Sequence, residues 1–143
     1  MEKIEIQGRG AINGRVEGYA LVCPESITGW GGIDPSTGLI KDLASSNRGQ
    51  SIAGKILVIP GSKGSNGWSC YYSITRVSGA NPKGLVITRV DSSSAVAAVG
   101  LNVPTVVDFP GESDPCRVIR NGDYVVVDGD AGLISISRET AQL

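Results

Sequence analysis

A short loop rich in glycine and serine is the part of this sequence best suited to chemistry. Residues 60–67 read Pro-Gly-Ser-Lys-Gly-Ser-Asn-Gly, between an apolar run that predicts a buried strand and a segment that predicts a helix. The N-terminus of a helix presents free N–H groups and the positive end of its dipole, which together favour an anion. The hydroxyl group of Ser65 is therefore a candidate to bind an anion or to exchange a proton with a ligand. The alternative is that Ser65 only caps the helix.

The absence of histidine narrows the chemistry further. Ser-His-Asp and Cys-His catalysis within this chain are excluded, as are metal sites built on histidine. The three cysteines, Cys23, Cys70 and Cys116, are odd in number and lack a CxxC spacing. We therefore expect reduced thiols and no metal bound by this chain.

A second candidate lies in the long segment 24–51, which is rich in Gly, Ser, Pro and Asp and has little periodicity. Loops of this length are usually functional. Trp30, Gly31 and Gly32 precede the sequence Asp-Pro-Ser-Thr-Gly, which is typical of a turn. Turn formation does not account for the Trp-Gly-Gly sequence before it. Either this tryptophan pins the loop onto the core, or the loop lines a ligand pocket or a partner interface.

The elements that must position these loops predict a single α/β domain over residues 1–143. The Asn13-Gly14 dipeptide between two alternating segments predicts an N-terminal hairpin. Residues 55–108 predict a strand–helix–strand–helix–strand unit, with Asp91 capping the second helix. Residues 117–119, 124–128 and 132–137 predict a β meander. We expect a parallel core with a β barrel-like layer built from the hairpin and the meander.

Charge and hydropathy exclude several classes of partner. The formal net charge is −1, and Lys and Arg are scattered, so no basic face for nucleic acid or an anionic membrane is expected. No apolar run approaches the roughly 20 residues that span a bilayer. The N-terminal residues lack the apolar core of a signal peptide, so a cytoplasmic location is expected.

Taken in order along the chain, these motifs resemble the small, swivel-domain subunit of aconitase X. The matching segments are residues 8–22, 29–38, 49–60, the Gly64-Ser65 loop and 103–108. The resemblance implies a swivelling β/β/α domain that is inactive alone and forms a heterodimer with a larger subunit. That subunit would carry an iron or iron–sulfur centre that acts as a Lewis acid on a departing hydroxyl group.

The resemblance also assigns roles to individual residues. It implies that Ser65, as alkoxide, removes the proton α to a carboxylate, with Ser62 as a second candidate. The substrate-binding residues would be Gly64, Lys63, Ser62, Asn66, Trp30, Gly31 and Gly32. The arginine that follows the catalytic serines in aconitases has no counterpart here. Carboxylate binding would then fall to Lys63, to backbone amides or to the partner.

The implied activity is that of a hydro-lyase acting on a small hydroxylated carboxylate. Two substrates are known for the family, cis-3-hydroxy-L-proline and mevalonate 5-phosphate. We favour the first, because a phosphorylated substrate needs several cations near the serine loop and only Lys63 is close in sequence. Two hypotheses of other classes are a non-catalytic swivelling domain that binds a partner and a stand-alone binder of small molecules.

Overall fold

A computed structural model describes residues 1–28, 31–63 and 68–139. This part of the chain forms one eight-stranded sheet and three α-helices. The strands are β1 (Glu2–Gln7), β2 (Arg9–Ile12), β3 (Arg15–Val22), β4 (Ile56–Ile59), β5 (Gly84–Ile87), β6 (Thr105–Val107), β7 (Tyr124–Asp128) and β8 (Leu133–Arg138). The helices are α1 (Trp68–Ser78), α2 (Ser92–Leu101) and α3 (Pro115–Val118).

Four neighbouring strands, β3, β4, β5 and β6, are parallel and form the centre of the sheet. Strands β4, β5 and β6 are buried along their whole length, because both faces of the sheet are covered. Leu57 and Leu85 face a core that includes residues of α1, α2 and the long loop. Ile56 and Val86 face the other core, which includes residues of β7 and β8. The predicted parallel α/β core is confirmed.

The sheet curls into a barrel because the N-terminal strand is shared between its two ends. The strand order is β1-β8-β7-β3-β4-β5-β6-β2, and only Gly8 separates β1 from β2. Strand β1 pairs with β8, whereas β2 pairs with β6, so the two ends of the sheet meet at Gly8. The barrel-like layer predicted from the chain ends is therefore present.

The predicted N-terminal hairpin is wrong in its pairing. Gly14 does adopt a positive φ of 114°, as expected of a turn, but the strands on either side of it do not pair. Strand β3 uses one edge for β4 and the other for β7. Those pairings close the barrel around a core, which a two-stranded hairpin alone cannot do.

Two further predictions concern the segments that form α2 and α3. Asp91 is confirmed as the N-cap of α2, and Asn102 ends that helix in the left-handed region at φ 53°. The strand predicted over residues 117–119 is wrong, because helix α3 occupies this position. The side chain of Asp114 accepts a hydrogen bond from the N–H of Cys116, and Pro115 occupies the first turn, where a missing N–H costs nothing. None of the helices described is long and apolar enough to cross a membrane.

Candidate functional site

The candidate site lies at the carboxyl edge of the parallel strands. Because β3, β4, β5 and β6 run in the same direction, the segments that follow them meet at one edge of the sheet. These segments begin at Cys23, Pro60, Thr88 and Asp108. The serine loop follows β4, so the fold places its first residues near the centre of this edge.

The start of the serine loop is held from two sides. The hydroxyl group of Ser26 donates to the carbonyl oxygen of Gly61 at 2.6 Å. On the other side, the N–H of Ser62 donates to Oδ2 of Asp91 at 2.9 Å. The same carboxylate caps α2 by accepting from the N–H of Ser94 at 2.8 Å. The first residues of the serine loop are thus tied both to the segment after β3 and to the start of α2.

The contacts of Asp91 also bear on Ser62, the second candidate for the base. Burial would raise the pKa of Asp91, but hydrogen bonds from Ser94 and Ser62, including one from the Ser62 side chain, lower it. The backbone N–H of Ser62 is thus held by a carboxylate that has a structural role. An alkoxide on Ser62 would lie beside the negative charge of Asp91, which disfavours Ser62 as the base.

Lys63 is tied to the long loop through Asp42. Its Nζ lies 3.2 Å from Oδ2 of Asp42, and the carboxylate side chain is only 9% exposed. Burial would raise the pKa of Asp42. Hydrogen bonds from the N–H groups of Thr28 and Ala44, from the Thr28 hydroxyl group and from Lys63 instead lower it to about 2. Asp42 therefore carries its negative charge throughout the physiological pH range.

Gly31 and Gly32 belong to the same assembly. Gly31 has a φ of 72°, in the left-handed region that favours glycine. A Cβ atom on Gly32 would collide with the carbonyl oxygen of Thr28. The carbonyl oxygen of Gly32 accepts from the N–H groups of Lys41 and Asp42. The conformation of the loop thus requires both glycines, whether or not a ligand also approaches them.

Four of the predicted site residues lie outside the residues that the structure describes: Trp30, Gly64, Ser65 and Asn66. Their roles stay predictions. The other four, Gly31, Gly32, Ser62 and Lys63, meet at the same edge of the sheet through Asp42 and Asp91.

Two non-glycine residues with a positive φ and two guanidinium groups lie at this edge. Ser26 and Asp108, which follow β3 and β6, are non-glycine residues with a φ of 59°. Such conformations persist where surrounding contacts fix them and are frequent at functional sites. Arg9 lies 2.7 Å from Asp108 and, through its hydrogen bond, is the main cause of the lowered pKa of that carboxyl group. The charge of Arg89 contributes to the same shift, so a second guanidinium group lies nearby.

Comparison with known proteins supplies the family. A family profile described as the aconitase X swivel domain matches residues 5–136. The chain belongs to the aconitase X swivel-domain family. The resemblance stated from the motifs is thereby confirmed.

Individual relatives match this swivel domain over nearly its whole length. The phosphomevalonate dehydratase small subunit of Methanocella arvoryzae is 33% identical over 134 residues, covering 94% of this chain and 100% of the relative. The protein of the same name from Archaeoglobus fulgidus is 37% identical over 128 residues, covering 90% of this chain and 95% of the relative. The crystal structure of Thermococcus kodakaraensis aconitase X in its holo form matches with a TM-score of 0.85 and 32% identity, over 94% of this chain and 99% of that chain.

The iron centre that the family resemblance implies does not fit the part of the swivel domain that is described. Residues 1–28, 31–63 and 68–139 contain no group of three or more Cys, Asp or Glu that could hold a metal ion. Burial raises the pKa of Cys23 and of Cys116 to about 11.

Reasoning from sequence missed three residues that shape the site: Asp42, Ser26 and Arg89. Asp42 and Ser26 lie in an aperiodic segment, where no spacing rule marks one polar residue above another. Arg89 follows β5 and is 24 residues beyond Ser65 in the chain. The parallel pairing of β4 with β5, and the rule that ligands bind at the carboxyl ends of such strands, could have pointed to it.

Proposed function

We propose that this swivel domain is the small subunit of a dehydratase that eliminates water from mevalonate 5-phosphate and requires a large subunit for activity. The main support is the similarity to phosphomevalonate dehydratase small subunits, which are 30–37% identical over at least 90% of this chain. The substrate ranked first from sequence, cis-3-hydroxy-L-proline, becomes the alternative. A cytoplasmic location remains part of the proposal.

Along the chain, Lys63 is the one cation close to the serine loop, which disfavours a phosphorylated substrate. The order of the strands brings further cations to the same edge of the sheet, which supports such a substrate. The parallel strands also bring Arg89 to this edge, where its backbone N–H donates to the carbonyl oxygen of Pro60 at 3.1 Å. Arg9 lies at the same edge beside Asp108. Two further guanidinium groups therefore lie near the strand ends from which the serine loop begins.

Both substrates present the same reacting atoms, because both are carboxylates with a hydroxyl group on the β carbon. In the proposed reaction Ser65, as alkoxide, takes the proton from the α carbon. The electron pair of that C–H bond forms the carbon–carbon double bond as the C–O bond on the β carbon breaks and hydroxide leaves. Iron on the large subunit would supply Lewis-acid chemistry at the departing hydroxyl group, and no residue of this chain is assigned to that task.

Within this chain, Lys63 and the arginines at the same edge would attract the anionic groups of the substrate. The carboxylates of Asp42, Asp91 and Asp108 keep the loops and these cations in place. A proton α to a carboxylate is weakly acidic, so its removal requires a site that stabilises the developing negative charge. The second hypothesis, a swivelling domain that only binds a partner, predicts that this chain supplies no reacting group.

The test is reconstitution of the purified chain with its large subunit. Dehydration is measured with mevalonate 5-phosphate, with cis-3-hydroxy-L-proline and, as a control for the phosphate, with unphosphorylated mevalonate. We expect turnover of mevalonate 5-phosphate only when both chains are present, and at least about a hundredfold lower kcat/KM for the other two compounds. Preferred turnover of cis-3-hydroxy-L-proline would reverse the substrate assignment. A fully active large subunit alone would overturn the proposed function.

A further inference from the structure

Asp42 occupies the point where the long loop meets the serine loop. Its Oδ2 accepts from the N–H of Thr28 at 2.9 Å, from the Thr28 hydroxyl group at 3.0 Å and from Nζ of Lys63 at 3.2 Å. Its Oδ1 accepts from the N–H of Ala44 at 3.0 Å. One carboxylate therefore joins two parts of the long loop to each other and to Lys63 of the serine loop.

Backbone hydrogen bonds also connect Asp42 to the Gly31-Gly32 turn. The N–H groups of Lys41 and Asp42 both donate to the carbonyl oxygen of Gly32, at 2.7 and 3.0 Å. An antiparallel bridge between Ile33 and Ile40 holds the two arms of the loop together. A displacement of Asp42 would therefore move the Gly31-Gly32 turn and Lys63 together.

The four donors to Asp42 are not equivalent. Three of them, the two N–H groups and the Thr28 hydroxyl group, belong to the long loop itself, so Asp42 stays fixed if Lys63 moves away. Among residues 1–28, 31–63 and 68–139, the ammonium group of Lys63 contacts Asp42 alone, and its side chain is 34% exposed. An ion pair of this kind shifts an equilibrium by no more than about fivefold, but it favours one place for the ammonium group. Because an ammonium group has three N–H donors, Lys63 can keep this contact while its exposed side binds an incoming anionic group.

We propose that Asp42 is a positioning residue, which holds the ammonium group of Lys63 for the anionic part of the substrate and keeps the serine loop aligned with the Gly31-Gly32 turn. The proposal rests on the proposed function. Asp42 itself takes no part in the chemistry. Its carboxylate keeps its contact with Lys63 while the exposed side of the ammonium group binds the substrate anion.

The proposal predicts the sign of the effect on substrate affinity. If Asp42 were only a negative charge near an anionic substrate, its removal would reduce repulsion and lower KM. If Asp42 positions Lys63, its removal misplaces the cation and raises KM. Asp42→Asn distinguishes the two cases, because it keeps the shape of the side chain and removes the charge.

The experiment is a double-mutant cycle in the reconstituted complex with mevalonate 5-phosphate. Asp42→Asn is expected to lower kcat/KM by about three- to fivefold through a raised KM, which is the most that the lost contact can contribute. Lys63→Met also removes the cation itself and should lower kcat/KM by more than about tenfold, and the double variant should be no less active than Lys63→Met. Asp34→Asn is the matched control, since Asp34 lies in the same loop and, among the residues that the structure describes, its side chain accepts only from the N–H of Ser36. It should stay within about twofold of wild type.

Several results would overturn the role of Asp42. These are an unchanged or lowered KM for Asp42→Asn, or losses that multiply in the double variant. Urea unfolding of the free subunit shows whether each variant folds. If Asp42→Asn does not, the cycle is run with Asp42→Glu, which keeps the charge but displaces it, and the same outcomes decide. A wild-type complex without activity would instead refute the proposed function, so the two failures are distinguishable.

Discussion

Two acidic side chains, one in each half of the molecule, have basic partners and lowered pKa values, but they are held differently. In the antiparallel half, Arg138 contacts both oxygens of Asp123, at 3.0 and 2.7 Å, and the two side chains are 13% and 5% exposed. At the carboxyl edge of the parallel half, Lys63 makes one contact with Asp42 and is 34% exposed. The first pair is bidentate and mostly buried, whereas the second is open on the cation side.

The Arg138–Asp123 pair is therefore suited to a structural role, whereas the Lys63–Asp42 pair leaves its cation open to a ligand. A bidentate guanidinium–carboxylate pair fixes both partners and is stronger than a single contact. The Arg138 side chain also donates to the carbonyl oxygen of Val118 at 2.8 Å, which joins β8 to α3. A lysine ammonium is a point charge that can turn toward a new anion. The ion pair of the antiparallel half therefore joins elements of the fold, whereas that of the parallel half leaves its cation accessible.

The distribution of backbone strain follows the same division. Among the residues described, three have a positive φ without being glycine: Ser26 and Asp108 lie at the carboxyl edge, and Asn102 ends α2. In the antiparallel half the positive φ values of the described residues fall on glycines such as Gly122 and Gly132. Apart from the helix cap Asn102, the strained positions thus lie at the candidate site, and glycine turns connect the barrel strands.

The largest effect on stability is expected from breaking the structural pair. Arg138→Met leaves Asp123 buried without its cation, which should lower the free energy of unfolding by about 3 kcal/mol. Lys63→Met is the matched variant, and it should cost at most about 1 kcal/mol because the ammonium group is partly in water. Urea unfolding of the free subunit measures both. Equal losses for the two variants would contradict the distinction between the pairs.

A smaller effect is expected from acid. The pKa of Asp42 is about 2 in the folded chain and 3.8 in the unfolded one, so its stabilisation is complete above 3.8 and is lost as the pH falls toward 2. Wild-type protein should therefore lose about 1 kcal/mol more than Asp42→Asn between pH 6 and pH 3. The measurement is the free energy of unfolding in urea at the two pH values. Equal losses in both proteins would show that Asp42 is not stabilised as its contacts indicate.

Much of the fold could be predicted from the sequence, because the parallel strands are continuous apolar runs and Asp91 is a strong N-cap. The pairing of β2 and β3 could not, since the Asn13-Gly14 turn signal is local while the partners of both strands are distant in the chain. Helix α3 was missed because a four-residue helix has too few residues to show a helical period.

The candidate site was predictable only in part. Glycine and serine mark the serine loop and the Trp-Gly-Gly turn in the sequence, yet nothing in the sequence joins these two segments. The contact between Asp42 and Lys63 spans 21 residues and depends on the path of an aperiodic loop. The cations near the site were misjudged for the same reason, because Arg89 reaches the edge through strand order and not through proximity along the chain.

The central claim is that this chain contributes the group that removes the proton, and one pair of variants tests it most directly. Ser65→Ala and Ser62→Ala are each combined with the large subunit, and turnover of mevalonate 5-phosphate is measured after complex formation has been verified. We expect Ser65→Ala to lower kcat by more than about a hundredfold, while Ser62→Ala stays within about tenfold of wild type, because the negative charge of Asp91 next to Ser62 disfavours an alkoxide there. Near-wild-type turnover by Ser65→Ala would contradict the claim.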